Sequence, residues 1–236
     1  IDEGFVDIFP FPDPKDPSRP LGTMPNRIEN EFLKVDIQPN GTVDVTDKES
    51  SKVTRGLNLL LDTGDAGDMW IHRKPKINRL ISSLGAQADI QLMRNSGLAA
   101  TFRVEMVLNI PESLTQDRLS RSAHTVPVKF TTDITLRKAS RRLEFKTHYN
   151  NVCKDHMLTV RFPAGIETET LVSDVAFEVR ERPVEYVTDE NAATSYAVSR
   201  NRALSTSPTA TAGWRSSVRG RMNMNRISLK MARASN

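Results

Sequence analysis

The sequence predicts an all-β protein of long antiparallel strands, and three observations predict it. Apolar residues alternate with polar ones over Leu98–Leu108, where Phe102, Val104, Met106 and Leu108 share one face, and again over Val126–Lys138, where Val128, Phe130, Thr132, Ile134 and Leu136 do. A side-chain period of two is that of a strand with one buried face. An Asn40-Gly41 pair divides two β-rich runs, a strong short-range hairpin signal. Thirdly, no segment of ten or more residues repeats its apolar positions at 3.6. Together these favour an antiparallel β sandwich over an α/β fold.

The elements follow in order. Residues 1–27 carry Pro10, Pro12, Pro14, Pro17, Pro20 and Pro25. Proline removes a backbone donor and fixes φ, so this stretch reads as a linker. From Ile28 the period becomes two, with Phe32, Val35 and Ile37 in one strand-like segment. Thr42–Thr46 alternates again, and Asp47-Lys48 turns. The apolar run Leu57–Leu61 is short enough for one buried strand. Beyond Pro75, Ala88–Met93 alternates, residues 109–123 form a polar loop, and Arg142–Tyr149 returns as a strand. Met157–Phe162 and Val172–Val179 are expected to complete a meander. The β domain is therefore set at 28–190, and 191–236 reads as a basic, low-complexity tail without order.

Composition bounds the function. A chain of 236 residues holds one large domain or two small ones. No apolar run reaches the ~20 residues that cross a membrane, and residues 1–20 lack the basic-then-apolar pattern of a signal peptide. One cysteine, Cys153, excludes an internal disulfide and fits a reducing, cytoplasmic setting; it reads as a core thiol. The first residue is Ile1, which suggests a trimmed chain or a piece of a longer one. The net charge of +4 is uneven. After Glu190 there are eight basic residues and no acidic one, leaving 25 basic and 29 acidic residues in 1–190. The basic character belongs to the tail, whose arginines are dispersed with only Tyr196 and Trp214 to stack. That arrangement argues against specific nucleic-acid recognition.

One stretch carries chemistry. Asp62-Thr-Gly-Asp65-Ala-Gly-Asp68 sets three carboxylates three apart, separated by Gly64 and Gly67, and Trp70 and His72 follow. Acidic groups beside an exposed aromatic can bind a sugar, by hydrogen bonds to hydroxyls and stacking on the C–H face. The competing reading is a surface loop whose aspartates cap their own backbone. Calcium at Asp62, Asp65 and Asp68 is a minor hypothesis. His72, His124, His148 and His156 are widely spaced and show no metal-binding motif.

Asn58, the Asp62-x-Gly64-Asp65-x-Gly67-Asp68 pattern and Trp70 resemble the C-terminal β region of family 38 glycoside hydrolases, the α-mannosidases. The similarity is to bacterial members of the mannosylglycerate hydrolase kind, which have Glu-Tyr where this chain has Met69-Trp70. The run Glu29–Leu33, Asn40-Gly41-Thr42, Asp47–Ser50 is similar to the opening hairpin of that region. Ile134-x-Leu136 with Arg142–Phe145, Asn150-Asn151 with Asp155-His156-x-Leu158 and Arg161-Phe162-Pro163, and Asp174–Pro183 follow in family order. The resemblance implies a galactose-mutarotase-like antiparallel supersandwich. It implies a supporting domain that packs on an N-terminal catalytic barrel and lends a loop to the sugar pocket. Asp65, Asp68, Trp70 and His72 are then the candidates for facing a mannoside. The family nucleophile and zinc ligands belong to the barrel, so zinc is implied for the complete enzyme and none for this chain, which alone is expected to be inactive. The alternatives are a free-standing carbohydrate-binding β-sandwich and a basic-tailed nucleic-acid binder.

Overall fold

The structure, a computed structural model, describes residues 19–68, 72–163, 170–175, 178–183, 203–206, 214–217 and 226–233. In chain order the strands are β1 (Gly22–Thr23), β2 (Arg27–Glu29), β3 (Leu33–Ile37), β4 (Val43–Asp47), β5 (Val53–Leu57), β6 (Leu59–Gly64), β7 (Ile81–Ser82), β8 (Asp89–Asn95) and β9 (Ala99–Pro111). They continue as β10 (Thr125–Arg137), β11 (Arg142–Tyr149), β12 (His156–Arg161), β13 (Thr170–Val175), β14 (Glu178–Pro183), β15 (Ala203–Thr206), β16 (Trp214–Ser217) and β17 (Arg226–Arg233). Strand neighbours pair antiparallel in three sheets, ordered β1-β2-β3-β4-β5, β12-β6-β7 and β14-β13-β15-β16-β17-β11-β10-β9-β8. The expected all-β, antiparallel sandwich is what the chain forms.

The core lies between the five-stranded sheet and the long strands β9, β10 and β11. Leu33, Val35, Ile37, Val43 and Val45 from one side meet Phe102, Val104, Phe130, Ile134, Leu136 and Leu143 from the other in a single cluster. Phe102 and Phe130 are fully buried, and each contributes about 1.5–3 kcal/mol by leaving water. β9 and β10 stay in register from Ala99–Arg137 to Pro111–Thr125. The predicted faces hold, with every expected inward residue of these two strands buried. On the outer face Arg103 and Asp133 face each other in a bidentate pair at 2.8 and 3.1 Å.

Turn chemistry fixes how the sheets meet. Asn30 is buried and breaks the segment expected as one strand from Ile28. Its Oδ1 accepts the Phe32 and Leu33 amides, and its Nδ2 donates to Arg137 O and Ser140 O across the sandwich. Phe32, partly buried against the core, lies under the Arg141 guanidinium at 4.2 Å. Gly41 has φ +80°, and a Cβ there would stand 2.3 Å from Met106 Cε. This turn therefore needs glycine for conformation and for close approach.

Three expectations are corrected. Leu57–Leu61 is not one strand. Asn58 takes φ +66°, a conformation asparagine tolerates, and the chain leaves the first sheet after Leu57 to begin β6 at Leu59. Both Leu57 and Leu60 remain in the same core. The meander ends at β11, because β12 pairs with β6, where His156 meets the buried Asp62. Finally, Val172–Val179 divides between β13 and β14, which pair as a hairpin. Residues 1–18 of the expected linker lie outside the described residues, and 22–29 already pair as β1 and β2. In the segment read as a tail, the described residues are strands: β17 pairs along β11, β16 along β17, and β15 with β13.

Candidate functional site

The acidic loop is held from beneath by a buried charge network. Asp62, on β6, has no exposed surface, and the Arg121 side chain is 2% exposed. Arg121 Nη2 donates to Asp62 Oδ1, and Nη1 donates to Asp62 O at 3.2 Å and Arg79 O at 2.9 Å. The other carboxylate oxygen, Oδ2, is 2.5 Å from His156 Nδ1. His156 Nε2 lies 2.9 Å from Asn151 Oδ1, which also accepts the Cys153 amide at 3.2 Å. The Asn151 atom is thus fixed as an oxygen, and both imidazole nitrogens face acceptors. A buried carboxylate is tolerated because each oxygen has a charged or polar donor.

This network joins the segments that build the loop. The Asp65 amide donates to Asp155 O at 2.8 Å, and the Ala66 amide to Arg73 O at 2.6 Å. Asp65 Oδ1 accepts the Gly67 and Arg73 amides at 2.9 and 3.1 Å. Arg118 bridges Asp155, at 3.2 Å, and Gly67 O, at 3.3 Å. Gly64 serves close packing: a Cβ there would stand 2.8 Å from Pro75 Cγ and 3.0 Å from Arg121 Cγ. The His72 ring reaches back to Gly64 O at 3.3 Å.

The four sequence candidates divide accordingly. Asp65 is half-buried and caps its own loop, which is the plainer of the two sequence readings. Asp68 is exposed and His72 half-buried on the same loop. Trp70 lies outside the described residues. Sequence reasoning missed Arg121, Asn151 and Asp155 as the loop's supports. Arg121 sat in a stretch read only as a polar loop, and its burial depends on contacts 59 residues away. Asp62 is withdrawn from the calcium idea, since both its oxygens are committed to Arg121 and His156.

Two neighbouring groups register the network. Burial pushes the Cys153 thiol up from its ordinary value, Asp62 adds to this, and Arg121 offsets part of it. Burial, then the Asp62 charge, raises the Tyr149 phenol. Cys153 is thus a core thiol, as its composition-based reading held. Among the described residues no three His, Cys, Asp or Glu side chains converge to hold a metal. His156 and Asp62 spend their donor atoms on each other, Asn151 and Arg121. No helix of the described residues is long and apolar enough to cross a membrane.

Known proteins agree with this architecture. Residues 28–218 match the description of the glycosyl hydrolases family 38 C-terminal domain. A Halalkalibacterium halodurans protein named "Putative mannosylglycerate hydrolase" is 26% identical over 172 residues, covering 67% of this chain and 19% of that protein. The crystal structure of an α-mannosidase from Enterococcus faecalis superposes with a TM-score of 0.75 at 26% identity, over 91% of this chain and 26% of the other. A further Enterococcus faecalis structure, of a glycosyl hydrolase family 38 protein, superposes equally at 0.75 and 25% identity, over 90% of this chain and 27% of its own. The chain thus spans about a fifth to a quarter of these relatives. It belongs to glycosyl hydrolase family 38, of which it carries the C-terminal domain.

Proposed function

We propose that this chain is the supporting β domain of an enzyme that cleaves α-mannosidic bonds, and that its Asp62–His72 loop forms part of the rim of the sugar pocket. One observation carries this reading. The backbone at Gly64–Gly67 and at Arg73 is fixed by main-chain and side-chain bonds above the buried Asp62–Arg121–His156 cluster, and Asp68 on the same loop is exposed. A surface turn with no task has no need of a fully buried charged anchor, whose desolvation costs several kcal/mol per ion. Rigid support of this kind is what positions a substrate-facing group. Asp68, Trp70 and His72 are the groups assigned to the substrate, with Asp68 accepting hydrogen bonds from sugar hydroxyls. Asp65 shapes the loop.

The retaining chemistry of such enzymes needs two carboxyl groups flanking the scissile bond. Asp62 is buried under the loop and Asp65 is engaged by two backbone amides, so this pair is assigned to a catalytic portion encoded outside these residues. The metal proposed for the complete enzyme is assigned there too. The names of the relatives support a mannoside as substrate, one of them a mannosylglycerate.

In the complete enzyme, Asp68→Asn is expected to raise KM for an α-mannoside about tenfold with a smaller effect on kcat, the mark of lost uniform binding. An unchanged KM for both Asp68→Asn and Trp70→Ala overturns the rim assignment. This chain alone is expected to turn over no nitrophenyl α-mannoside, and zinc-dependent turnover by it refutes the supporting role.

A further inference from the structure

The outer face of the first sheet carries a groove of about 450 Å³, lined among others by Arg27, Asp36, Gln38, Asp44, Thr46 and Arg55. That volume lies within the ~300–1,000 Å³ of small-molecule sites. Along β3 and β4 the lining positions alternate with the buried Val35, Val43 and Val45, so they point away from the core. Strand pairing gathers them. Arg27 stands opposite Asp36, Asp36 opposite Asp44, and Thr46 opposite Val53, so β2, β3, β4 and β5 share one surface.

A β-bulge shapes one side of the groove. Val45 pairs with Thr54 and Val43 with Leu57, which leaves Arg55 and Gly56 together opposite Asp44 alone. Gly56 takes φ +72°, and a Cβ there would meet nothing within 4 Å. Glycine therefore serves conformation at this point and not packing. The Gly56 amide donates to Asp44 Oδ1 at 2.9 Å, and Gln38 Nε2 donates to Oδ2 at 3.1 Å. Asp36 Oδ1 accepts from Arg27 Nε at 2.6 Å, and Lys34 Nζ stands 3.8 Å from Oδ2. Two carboxylates directly opposite each other in a sheet repel, and here each is held in place by its own donors. Arg55 differs from Arg27. It is exposed, stands against a carboxylate, and has no hydrogen-bond or ion-pair partner among the described residues. Gln38 Oε1 and the Thr46 hydroxyl are likewise uncommitted among the described residues.

The chemistry of these groups selects a class of ligand. The lining is electrically balanced, with two guanidinium groups against two carboxylates. Free donors come from Arg55 and from the Nη groups of Arg27. Free acceptors are Gln38 Oε1, the Thr46 hydroxyl and the remaining lone pairs of Asp36 and Asp44. An ammonium would use the acceptors alone, and a carboxylate or phosphate the donors alone. A hydroxyl donates once and accepts twice, so a polyol uses both sets. Guanidinium and carboxylate groups each offer two atoms in one plane, which suits a pair of adjacent hydroxyls. Val53, 39% exposed and part of the lining, offers an apolar contact to the C–H face of a ring. We propose that this groove is a saccharide-binding site for neutral pyranose units, in which Arg55 and Asp44 bridge adjacent hydroxyls. It does not rest on the rim reading, whose loop follows β6 in another sheet.

The test is titration of the isotope-labelled whole chain with methyl α-mannoside, methyl α-glucoside and an α-mannobiose, read by amide chemical shifts. Glycine and arginine are the zwitterionic and cationic probes. At least one sugar is expected to shift the Asp44, Thr46 and Gly56 amides saturably, with Kd on the order of 1 mM. That Kd should hold when salt is raised from low to physiological strength, because a neutral ligand has no charge to screen. Arg55→Ala and Thr46→Val remove no side-chain bond of the fold, and both should unfold at the parent's urea midpoint. Arg55→Ala is expected to weaken sugar binding at least about tenfold and Thr46→Val about threefold. Arg55→Lys should weaken it nearly as far as Arg55→Ala, since an ammonium lacks the planar fork. Absence of saturable shifts with all three sugars overturns the proposal. Sugar shifts confined to Asp62–His72 overturn it too, since they assign the sugar to the acidic loop. Shifts from glycine or arginine without any from the sugars, or binding that falls as salt rises, assign the groove to an ionic ligand and refute it. Undiminished affinity in both Arg55→Ala and Thr46→Val places the sugar elsewhere, and full affinity in Arg55→Lys shows that charge alone suffices; either result refutes the bridging of hydroxyls.

Discussion

Arg121→Met tests whether the buried network holds the fold as well as the loop. The guanidinium is 2% exposed and makes three hydrogen bonds, one to Asp62 Oδ1 and two to main-chain oxygens of Asp62 and Arg79. Methionine fills much of the volume and supplies none of these donors. Asp62 keeps His156 on Oδ2, so the carboxylate is half-satisfied rather than isolated. Removing one partner of a buried pair costs about 3–5 kcal/mol. Against a domain stability of about 5–15 kcal/mol, that is a large fraction. Urea unfolding followed by far-ultraviolet circular dichroism reads it as a lowered midpoint at unchanged slope. Adding Asp62→Asn removes the orphaned charge while keeping a hydrogen-bond acceptor for His156. The double variant is expected to recover at least about 1 kcal/mol over Arg121→Met. A cost below about 1 kcal/mol, or strict additivity of the two substitutions, refutes the account of this site as one coupled ionic unit.

Three further outcomes follow from the fold. Gly41→Ala places a Cβ 2.3 Å from Met106 Cε at φ +80°; it should cost about 2–4 kcal/mol from strain and overpacking together, and Met106→Ala in the same chain should relieve part of it. Asn30→Ala strands two amides and two carbonyls that its side chain now satisfies. It should cost about 2–4 kcal/mol in urea unfolding. The Cys153 and Tyr149 groups are raised by burial from 9.0 and 10.0 respectively. A raised acid favours its protonated form in the fold, so their contribution is complete below those ordinary values and is lost as pH rises from them through the higher values of the folded state. Alkaline destabilisation beginning near pH 9 should be smaller in Cys153→Ala/Tyr149→Phe, and a thiol reagent should modify Cys153 slowly in the native chain and fast in urea.

Much of the architecture was legible because strands with one buried face write their period into the chain. β9 and β10 show this best, since every inward residue expected from alternation is buried. The hairpin at Asn40-Gly41 was legible for a local reason, the need for positive φ. What failed was non-local. Leu57–Leu61 looks like one apolar run, and only the positive φ of Asn58 and its bond to Gly41 O at 3.2 Å reveal the change of sheet. Likewise nothing near Met157–Arg161 states that β12 leaves its predecessor to join β6. Of the site, the aspartate-and-glycine pattern could be read directly, as could the self-capping of Asp65. Arg121 could not, because an arginine in a polar loop is ordinarily solvated, and its burial is decided by Asp62 on another strand.

The buried charges explain why this sheet forms with one register. In the β6–β12 pair His156 stands opposite Gly64, and Leu158 opposite Asp62. His156 and Asp62 are thus diagonal neighbours, two positions apart across the ladder, a spacing at which long side chains meet. A slip of one residue would turn Asp62 to the other face and separate it from both Arg121 and His156. The same slip would move Asp155 O away from the Asp65 amide. An apolar substitute could match the stability of the ionic cluster, since buried pairs often do no better than well-packed hydrophobes. It could not distinguish one register from another so sharply. The triple variant Asp62→Leu/Arg121→Met/His156→Leu is therefore expected to unfold within about 2 kcal/mol of the parent, yet to exchange its Asp65 amide hydrogen much faster. Retention of parental protection at that amide, in a chain that still folds, would show that packing alone sets the loop.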